Sequence, residues 1–358
     1  MVRYTNNSKR WEFDKEAAQN FLSGANDHCL RQGASEDKNF DAKPTSSKTN
    51  SSSCLCIILL AVYNAEKYIK EQLDSLFNQT FQEFHLLIRD NQSTDQTLSI
   101  IQEFSLLYPG RITLVHSPIH TGPMENFAAL IDLAGSDYIF FSDADDVWLP
   151  QKIEKSLLKI RELEDQHGQH TPCLVHTDLK VVNQDLETIH GSFWKYAGLN
   201  ALEGRAKLIS QLAQNSVTGN TICANRSLIE MSRPIPKESI MHDWWLGIVA
   251  SAFGVVGRIE EPMILYRQHG ANAIGAKKST LWNFSIERRR LFRTRLKLQA
   301  QCFLARYEEI LEPDQRETVN KWIEFMGGSL FAKSHLMWKF GFYKTRGSIF
   351  LSLADLFI

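Results

Sequence analysis

From residue 54 onward the hydrophobic positions fall into blocks that alternate between two spacings. Residues 54–62 form an unbroken apolar run rich in β-branched side chains, the pattern of a strand covered on both faces, and Asn64 is placed to cap a helix behind it. In that helix Ile69, Leu73, Leu76 and Phe77 recur at i, i+4, i+7 and i+8, one apolar face to lie on a sheet. The alternation repeats as a strand over 84–89, a helix over 95–107, a strand over 112–116, a helix over 124–134 and a strand from Tyr138. A helix over 152–164 and a strand over 174–180 continue it. Strands alternating with helices in this way predict a mostly parallel sheet with right-handed crossovers.

Beyond residue 200 the texture changes. A helix is predicted over 202–214, a strand over 220–224, a helix after His242, strands over 255–259 and 263–266, and helices from 281 onward, with no internal repeat. Residues 1–53 are polar, lack sustained periodicity and end in Pro-Thr-Ser-Ser-Lys-Thr-Asn-Ser-Ser-Ser. That composition predicts a disordered or weakly helical extension.

The chain's 358 residues suffice for one large domain or two smaller ones, and 40 basic against 41 acidic residues leave no overall field to recruit nucleic acid. The six cysteines show no Cys-x-x-Cys spacing, and Cys54 and Cys56 sit in an apolar run, so reduced packing thiols of a cytoplasmic protein are expected. The longest apolar run is too short to span a bilayer and the N-terminus lacks a basic-then-apolar pattern. Neither a transmembrane helix nor a signal peptide is expected.

Candidate chemistry begins where the Tyr138 strand ends, in Ser-Asp-Ala-Asp-Asp-Val-Trp. Asp143, Asp145 and Asp146 stand at the carboxyl end of an apolar strand, where α/β sheets bind ligands. Clustered carboxylates there suit a hard divalent cation, Mg²⁺ or Mn²⁺, that keeps some waters and bridges phosphate oxygens. At the same edge Tyr63 and Asn64 end the first strand and Asp90 ends the second. A carboxylate can accept the imide N–H of uracil or thymine while a tyrosine stacks on the ring, so Tyr63, Asn64 and Asp90 are candidate nucleotide contacts. Asp95 is better placed to cap the helix that follows it.

In chain order, Val-Tyr-Asn-Ala-Glu-Lys-Tyr-Ile, Arg-Asp-Asn-Gln-Ser-Thr-Asp-Gln-Thr and Ser-Asp-Ala-Asp-Asp-Val-Trp resemble the motifs of the family 2 inverting glycosyltransferases, over roughly residues 54–275. His242-Asp243-Trp244-Trp245 and Tyr266-Arg267-Gln268-His269-Gly270-Ala271-Asn272 resemble the rhamnosyltransferase-like branch. One departure is Asn91-Gln92, where family members commonly carry Asp-Gly. The resemblance implies a GT-A fold: α/β, Rossmann-like, a mostly parallel central sheet flanked by helices, here with a helical C-terminal extension over 276–358.

The resemblance also implies roles. Asp143 is expected at the ribose or base side of the nucleotide, Asp145 on the metal and Asp146 near the donor sugar. Asp243 matches the family's general base, with a helix cap as the alternative. His269 is a candidate to complete the metal shell or hydrogen-bond the diphosphate, and Arg267 to pair with phosphate. Trp148, Trp244 and Trp245 are candidates to stack on acceptor sugars, core packing being the alternative. The implied donor is dTDP-rhamnose, with UDP-sugars next to it, and the implied acceptor a saccharide or lipid-linked saccharide of a cell-surface polysaccharide such as O-antigen. A phosphohydrolase with an aspartyl nucleophile fits less well, because that nucleophile follows the first strand of its domain and Val147 and Trp148 stand where its Thr is expected. An inactive sugar-binding module fits poorly with Asp145 and Asp243 both present.

Residues 277–300 carry Lys277, Lys278, Arg288, Arg289, Arg290, Arg293, Arg295 and Lys297 interleaved with apolar and aromatic side chains. Residues 338–346 repeat the mixture. Both suit an anionic membrane surface, so peripheral contact with the cytoplasmic face of the inner membrane is expected.

Overall fold

The computed structural model describes residues 2–5, 10–13, 55–199, 201–205, 208–270 and 286–327. The chain divides into two compact units, Met1–Ser52 and Ser53–Ile358. In the first, β1 (Val2–Thr5) pairs antiparallel with β2 (Arg10–Phe13), a short ribbon inside the segment where the sequence suggests coil or weak helix.

The second unit is built on β3 (Cys56–Val62), β4 (Phe84–Asp90), β5 (Ile112–His116), β6 (Tyr138–Ser142), β7 (Val147–Trp148), β8 (Cys173–Val182), β9 (Thr188–His190), β10 (Cys223–Asn225) and β11 (Val255–Arg267). Among the described residues they form one sheet in the order β5-β4-β3-β6-β10-β8-β11-β7, with β9 on β8. The β5-β4-β3-β6 half and the β8-β11 pair are parallel. The short β10 and β7 run antiparallel to their neighbours, so the sheet is mixed and mostly parallel.

Helices α1 (Ile69–Phe77), α2 (Thr97–Leu107), α3 (Pro123–Leu133) and α4 (Lys152–His167) cross over between strands. Alternation along β3 divides the core into two layers. Ile58 and Leu60 face one, with Leu73 and Leu76 of α1 and Phe104 of α2; Ile57 and Leu59 face the other, with Phe127 and Leu130 of α3. Each fully buried Leu or Ile of these layers contributes about 1.5–3 kcal/mol.

After α5 (Phe193–Ala197), α6 (Leu208–Ala213) and α7 (Arg226–Ser232) comes α8 (His242–Phe253), buried along nearly its whole length. It shares one core with α9 (Ile286–Tyr307) and α10 (Pro313–Gly327) through Trp245, Leu296, Phe303, Tyr307, Val319 and Trp322. Among the described residues no helix is long and apolar enough to cross a membrane.

Several sequence expectations change. The strand expected over 220–224 is a 3-10 turn, Gly219–Thr221, followed by β10. The strands expected over 255–259 and 263–266 are one strand, β11, whose register on β8 shifts on either side of Pro262, a residue that cannot donate to the ladder. The helix expected over 202–214 is confined to α6. Asn64 does not cap α1: it lies at φ 45° in the preceding turn, where its Oδ1 accepts from the Thr94 N–H at 2.8 Å. Asp95 does bind the start of α2, its Oδ1 accepting from the Thr97 N–H at 3.0 Å. Cys56 is buried, as expected of a packing side chain, whereas Cys54 and the basic segments at 277–285 and 338–346 lie outside the described residues.

Candidate active site

Strands β3, β4 and β6 end at one edge of the sheet, and each delivers polar residues there as the apolar run stops. Tyr63, half exposed, follows β3 and its ring centroid lies 4.4 Å from that of His120. Asp90, the last residue of β4, is buried, and its carboxylate accepts from the backbone N–H groups of Gln92 at 3.1 Å and Ser93 at 3.2 Å. His116, paired with Asp90 across β4 and β5, brings Nδ1 to 3.8 Å from Asp90 Oδ2. Two carboxylate oxygens have about four lone-pair sites, so the turn contacts leave Asp90 able to accept from a ligand. Asn64 closes the turn from the other side, its N–H donating to Ser93 Oγ at 3.0 Å. Gln92 holds φ 67°, the left-handed region that favours glycine. Gln92 therefore holds, without glycine's freedom, a backbone conformation that glycine adopts at little cost.

The acidic loop after β6 is braced from below by α1. Gln72, fully buried, donates from Nε2 to Ser142 Oγ at 2.6 Å, and Ser75 Oγ accepts from the Trp148 N–H at 3.0 Å. Gln79 donates to the Leu149 carbonyl at 2.9 Å. These polar residues, on or just beyond a helix read in sequence by its apolar face, were missed. Their signal is spacing, since 72, 75 and 79 fall on one stripe of the helix.

Within the loop the carboxylates part company. Asp145 Oδ2 lies 2.9 Å from His269 Nε2, and the His269 ring packs 4.7 Å from that of Tyr68. Asp143 is half-buried, and burial, then the carboxylates of Asp145 and Asp243, push its pKa up to about 7. Asp146 is fully buried with both oxygens engaged: Oδ1 accepts from the Arg267 N–H at 3.0 Å and Oδ2 from Asn220 Nδ2. Burial and its acidic neighbours raise its pKa too. Asp146, expected near the donor sugar, ties the loop to β11 and to the turn Gly219–Thr221.

Arg267, expected to pair with phosphate, is held from several sides. Its guanidinium donates to the Asp145 carbonyl at 2.8 Å, to the Gln184 carbonyl and to the Glu71 carboxylate, and it lies 4.7 Å from the Tyr68 ring. With these partners it clamps the acidic loop. The tryptophans are core residues. Trp148 is buried with Lys152 Nζ 3.6 Å from its ring centroid; Trp244 donates from Nε1 to the Gln211 carbonyl and Trp245 to that of Ser232 at 3.0 Å. None has the free ring face that stacking on an acceptor sugar requires.

Asp243 stands in the first turn of α8, buried, with Oδ1 accepting from the Trp244 N–H at 2.6 Å. Burial pushes its pKa up to about 6, against the pull of hydrogen bonds from the Trp244 and Gly219 backbone and the Asn215 side chain. It stands one residue inside the helix, whose N-cap is Met241 with no side-chain cap bond, so the expected capping role falls away, and it lies within electrostatic reach of Asp143.

The residues present suit a divalent cation. Asp145 and His269 offer adjacent hard and borderline donors, and among the described residues no third His, Cys, Asp or Glu completes a ligand set. A cation held by two protein groups keeps its other positions for waters and phosphate oxygens, the habit of Mg²⁺ and Mn²⁺ at nucleotide sites. Raised carboxylate pKa values at Asp143 and Asp146 mark a locus short of positive charge, which such an ion would supply.

Residues 57–194 match the family model described as "Glycosyl transferase family 2". A protein of Shigella flexneri named dTDP-rhamnosyl transferase RfbG is 31% identical over 235 residues, covering 62% of this chain and 75% of that protein. An uncharacterized glycosyltransferase of Haemophilus influenzae is 24% identical over 60% of this chain and 66% of its own length. Among solved structures, TarS of S. aureus superposes with a TM-score of 0.52 at 17% identity, over 76% of this chain and 43% of that one. Residues 1–349 of TarS, solved with UDP-GlcNAc, give 0.50 at 16% identity, over 84% and 87%. At such identities the likeness is one of fold, the GT-A architecture.

Proposed function

Because the chain belongs to glycosyltransferase family 2, we propose that it moves rhamnose from dTDP-rhamnose to a saccharide acceptor, with inversion, during assembly of a cell-surface polysaccharide. The observation that carries the mechanism is the placement of Asp243 beside the acidic loop, in electrostatic reach of Asp143. Direct displacement needs one carboxylate to take the acceptor hydroxyl's proton as its oxygen attacks the anomeric carbon. Asp243, held by backbone N–H groups with its pKa raised to about 6, is largely ionised at neutral pH and basic enough to accept it. No covalent enzyme intermediate is required. A second carboxylate nucleophile has no task in this scheme.

Asp145 and His269 would hold Mg²⁺ or Mn²⁺, which when bound offsets charge on the departing diphosphate. Arg267 and Glu71 keep the loop carrying Asp145 in place. At the other end Tyr63 offers a ring for the base, Asp90 an acceptor for its imide N–H, and Asn64 the turn between them. Asp143 lies on the nucleotide side of the metal in this reading. Uracil and thymine present the same imide edge, so a UDP-hexose is the alternative donor.

The relative's name supports the thymidine nucleotide, and the test is thermal. UDP or dTDP with Mn²⁺ should raise the melting temperature, the stabilisation reaching about 2.7 kcal/mol at a ligand concentration of 100 Kd. A shift with purine nucleotides but with neither pyrimidine nucleotide would show that the pocket at Tyr63 and Asp90 is misread.

The same proposal extends to the acceptor. On α9, Arg288, Arg290 and Arg295 are exposed together with Leu291, Phe292 and Leu298, while Leu296, Ala300 and Phe303 face the core. A basic rim around exposed apolar side chains suits anionic lipid headgroups, and a lipid-linked saccharide would then be presented at the cytoplasmic face of the inner membrane. Replacing Arg288, Arg290 and Arg295 by Glu should abolish flotation with phosphatidylglycerol vesicles, and salt should weaken the wild type. Salt-insensitive or absent binding of the wild type removes the membrane from the proposal.

A further inference from the structure

The turn Gly219–Thr221 touches both halves of the site. From it, Asn220 Nδ2 donates to Asp146 Oδ2, and the Gly219 backbone lies against the start of α8. A Cβ built at residue 219 would stand 3.0 Å from His242 Nε2 and 3.5 Å from Asp243 Oδ2, so glycine lets the turn approach the base closely. Residues 220 and 221 are buried, and the turn also packs on β6 and β8.

The Asn220 amide is used at one end only. Its Oδ1 is buried without a hydrogen-bond partner, while its Nδ2 meets Asp146. Buried amides that serve the fold alone usually satisfy both ends, so the bond to Asp146 is what this amide is oriented for. His242, next to Asp243, is buried between Phe127 at 4.1 Å and Phe141 at 5.2 Å, with both ring nitrogens unpartnered. It is therefore fixed by packing, and the polar link across this region runs through the turn.

We propose that Asn220 is a positioning residue that couples the acidic loop to the base: its amide fixes Asp146, and the Gly219 backbone beside it fixes Asp243. The proposal rests on the glycosyltransferase reading and deepens it. Asp146 adjoins Asp145, so releasing it displaces the metal-side carboxylate relative to the base. Misplacement of reacting groups by about 1 Å can cost on the order of 100-fold in rate.

The test compares Asn220→Ala, Asn220→Asp and the reversed pair Asp146→Asn/Asn220→Asp, reading kcat, nucleotide Kd and melting temperature. The donor is the sugar nucleotide that the wild type turns over. Asn220→Ala should lower kcat at least about 10-fold while Kd for the nucleotide stays within about threefold. Asn220→Asp should be worse, because two carboxylates then meet in a buried place. In the reversed pair the new amide donates to the new carboxylate, an oxygen still faces the Arg267 N–H, and most of kcat should return. A lower melting temperature with wild-type kcat in Asn220→Ala, or a reversed pair no faster than Asn220→Asp, would overturn the coupling. Should Asn220→Ala fail to fold, the second comparison decides alone. A wild type that neither transfers nor hydrolyses any sugar nucleotide would overturn the parent reading as well.

Discussion

Asp243→Asn is expected to lower turnover by about 100-fold or more while leaving nucleotide affinity close to wild type. The substitution keeps the shape of the side chain, and its carbonyl oxygen can still accept from the Trp244 N–H that Asp243 Oδ1 accepts now. What is lost is the ability to take a proton. The wild-type rate carries the same information in its pH dependence. A base acts only when deprotonated, and burial raises the Asp243 pKa to about 6, so the rate should be full above that pH and fall as the pH drops through it. That acid limb should vanish from the residual rate of the variant. Asp143 also has a raised pKa, through burial and then its acidic neighbours, but a bound cation would oppose that shift and move its limb to lower pH. Near-normal turnover in Asp243→Asn would leave the carboxylate as a partner of first-turn backbone N–H groups of α8 and nothing more.

The elements most legible in the sequence were those with a single dominant pattern. The run ending at Val62 and the apolar stripe Ile69, Leu73, Leu76 and Phe77 became β3 and α1 because burial on a sheet rewards those spacings directly. Short, late elements were less legible. β10 has three residues, too few for a period to show, and β11 absorbs Pro262 by shifting register where the sequence suggests a break. At the site, residue type located the carboxylates but could not say which of their oxygens were already taken. Asp146 and Arg267 look like ligand-binding groups in a motif, yet each has a partner more than a hundred residues away, a fact carried by tertiary packing alone. The tryptophans failed for a related reason: an aromatic beside a catalytic motif has the same sequence signature whether its ring faces a sugar or, like Trp245, the core. Conversely, Gln72, Ser75 and Asn220 were passed over because neutral polar residues carry no chemical signature until they are found buried and bonded to the loop.

Asp145→Asn is expected to remove most of the gain in donor affinity that Mn²⁺ or Mg²⁺ confers on the wild type, a loss on the order of 10- to 100-fold. The carboxylate and His269 meet at 2.9 Å, and with no third acidic, histidine or cysteine ligand among the described residues, each contributes a large share of any cation's protein shell. A neutral amide is a poorer donor to a hard cation than a carboxylate, so the ion should be held weakly and the diphosphate with it. The backbone stays clamped in the variant, because Arg267 Nε donates to the residue-145 carbonyl, which the substitution leaves in place. The measurement is nucleotide affinity by calorimetry with and without metal, in the wild type, Asp145→Asn and His269→Ala. Both variants should lose the metal-dependent gain and keep the metal-independent affinity, which is assigned to Tyr63 and Asp90. Asp243→Asn, carried alongside, should keep both. Equal metal-dependent gains in the wild type and Asp145→Asn would show that this carboxylate does not hold the ion, and would leave its contact with His269 as a purely structural link between the acidic loop and the end of β11.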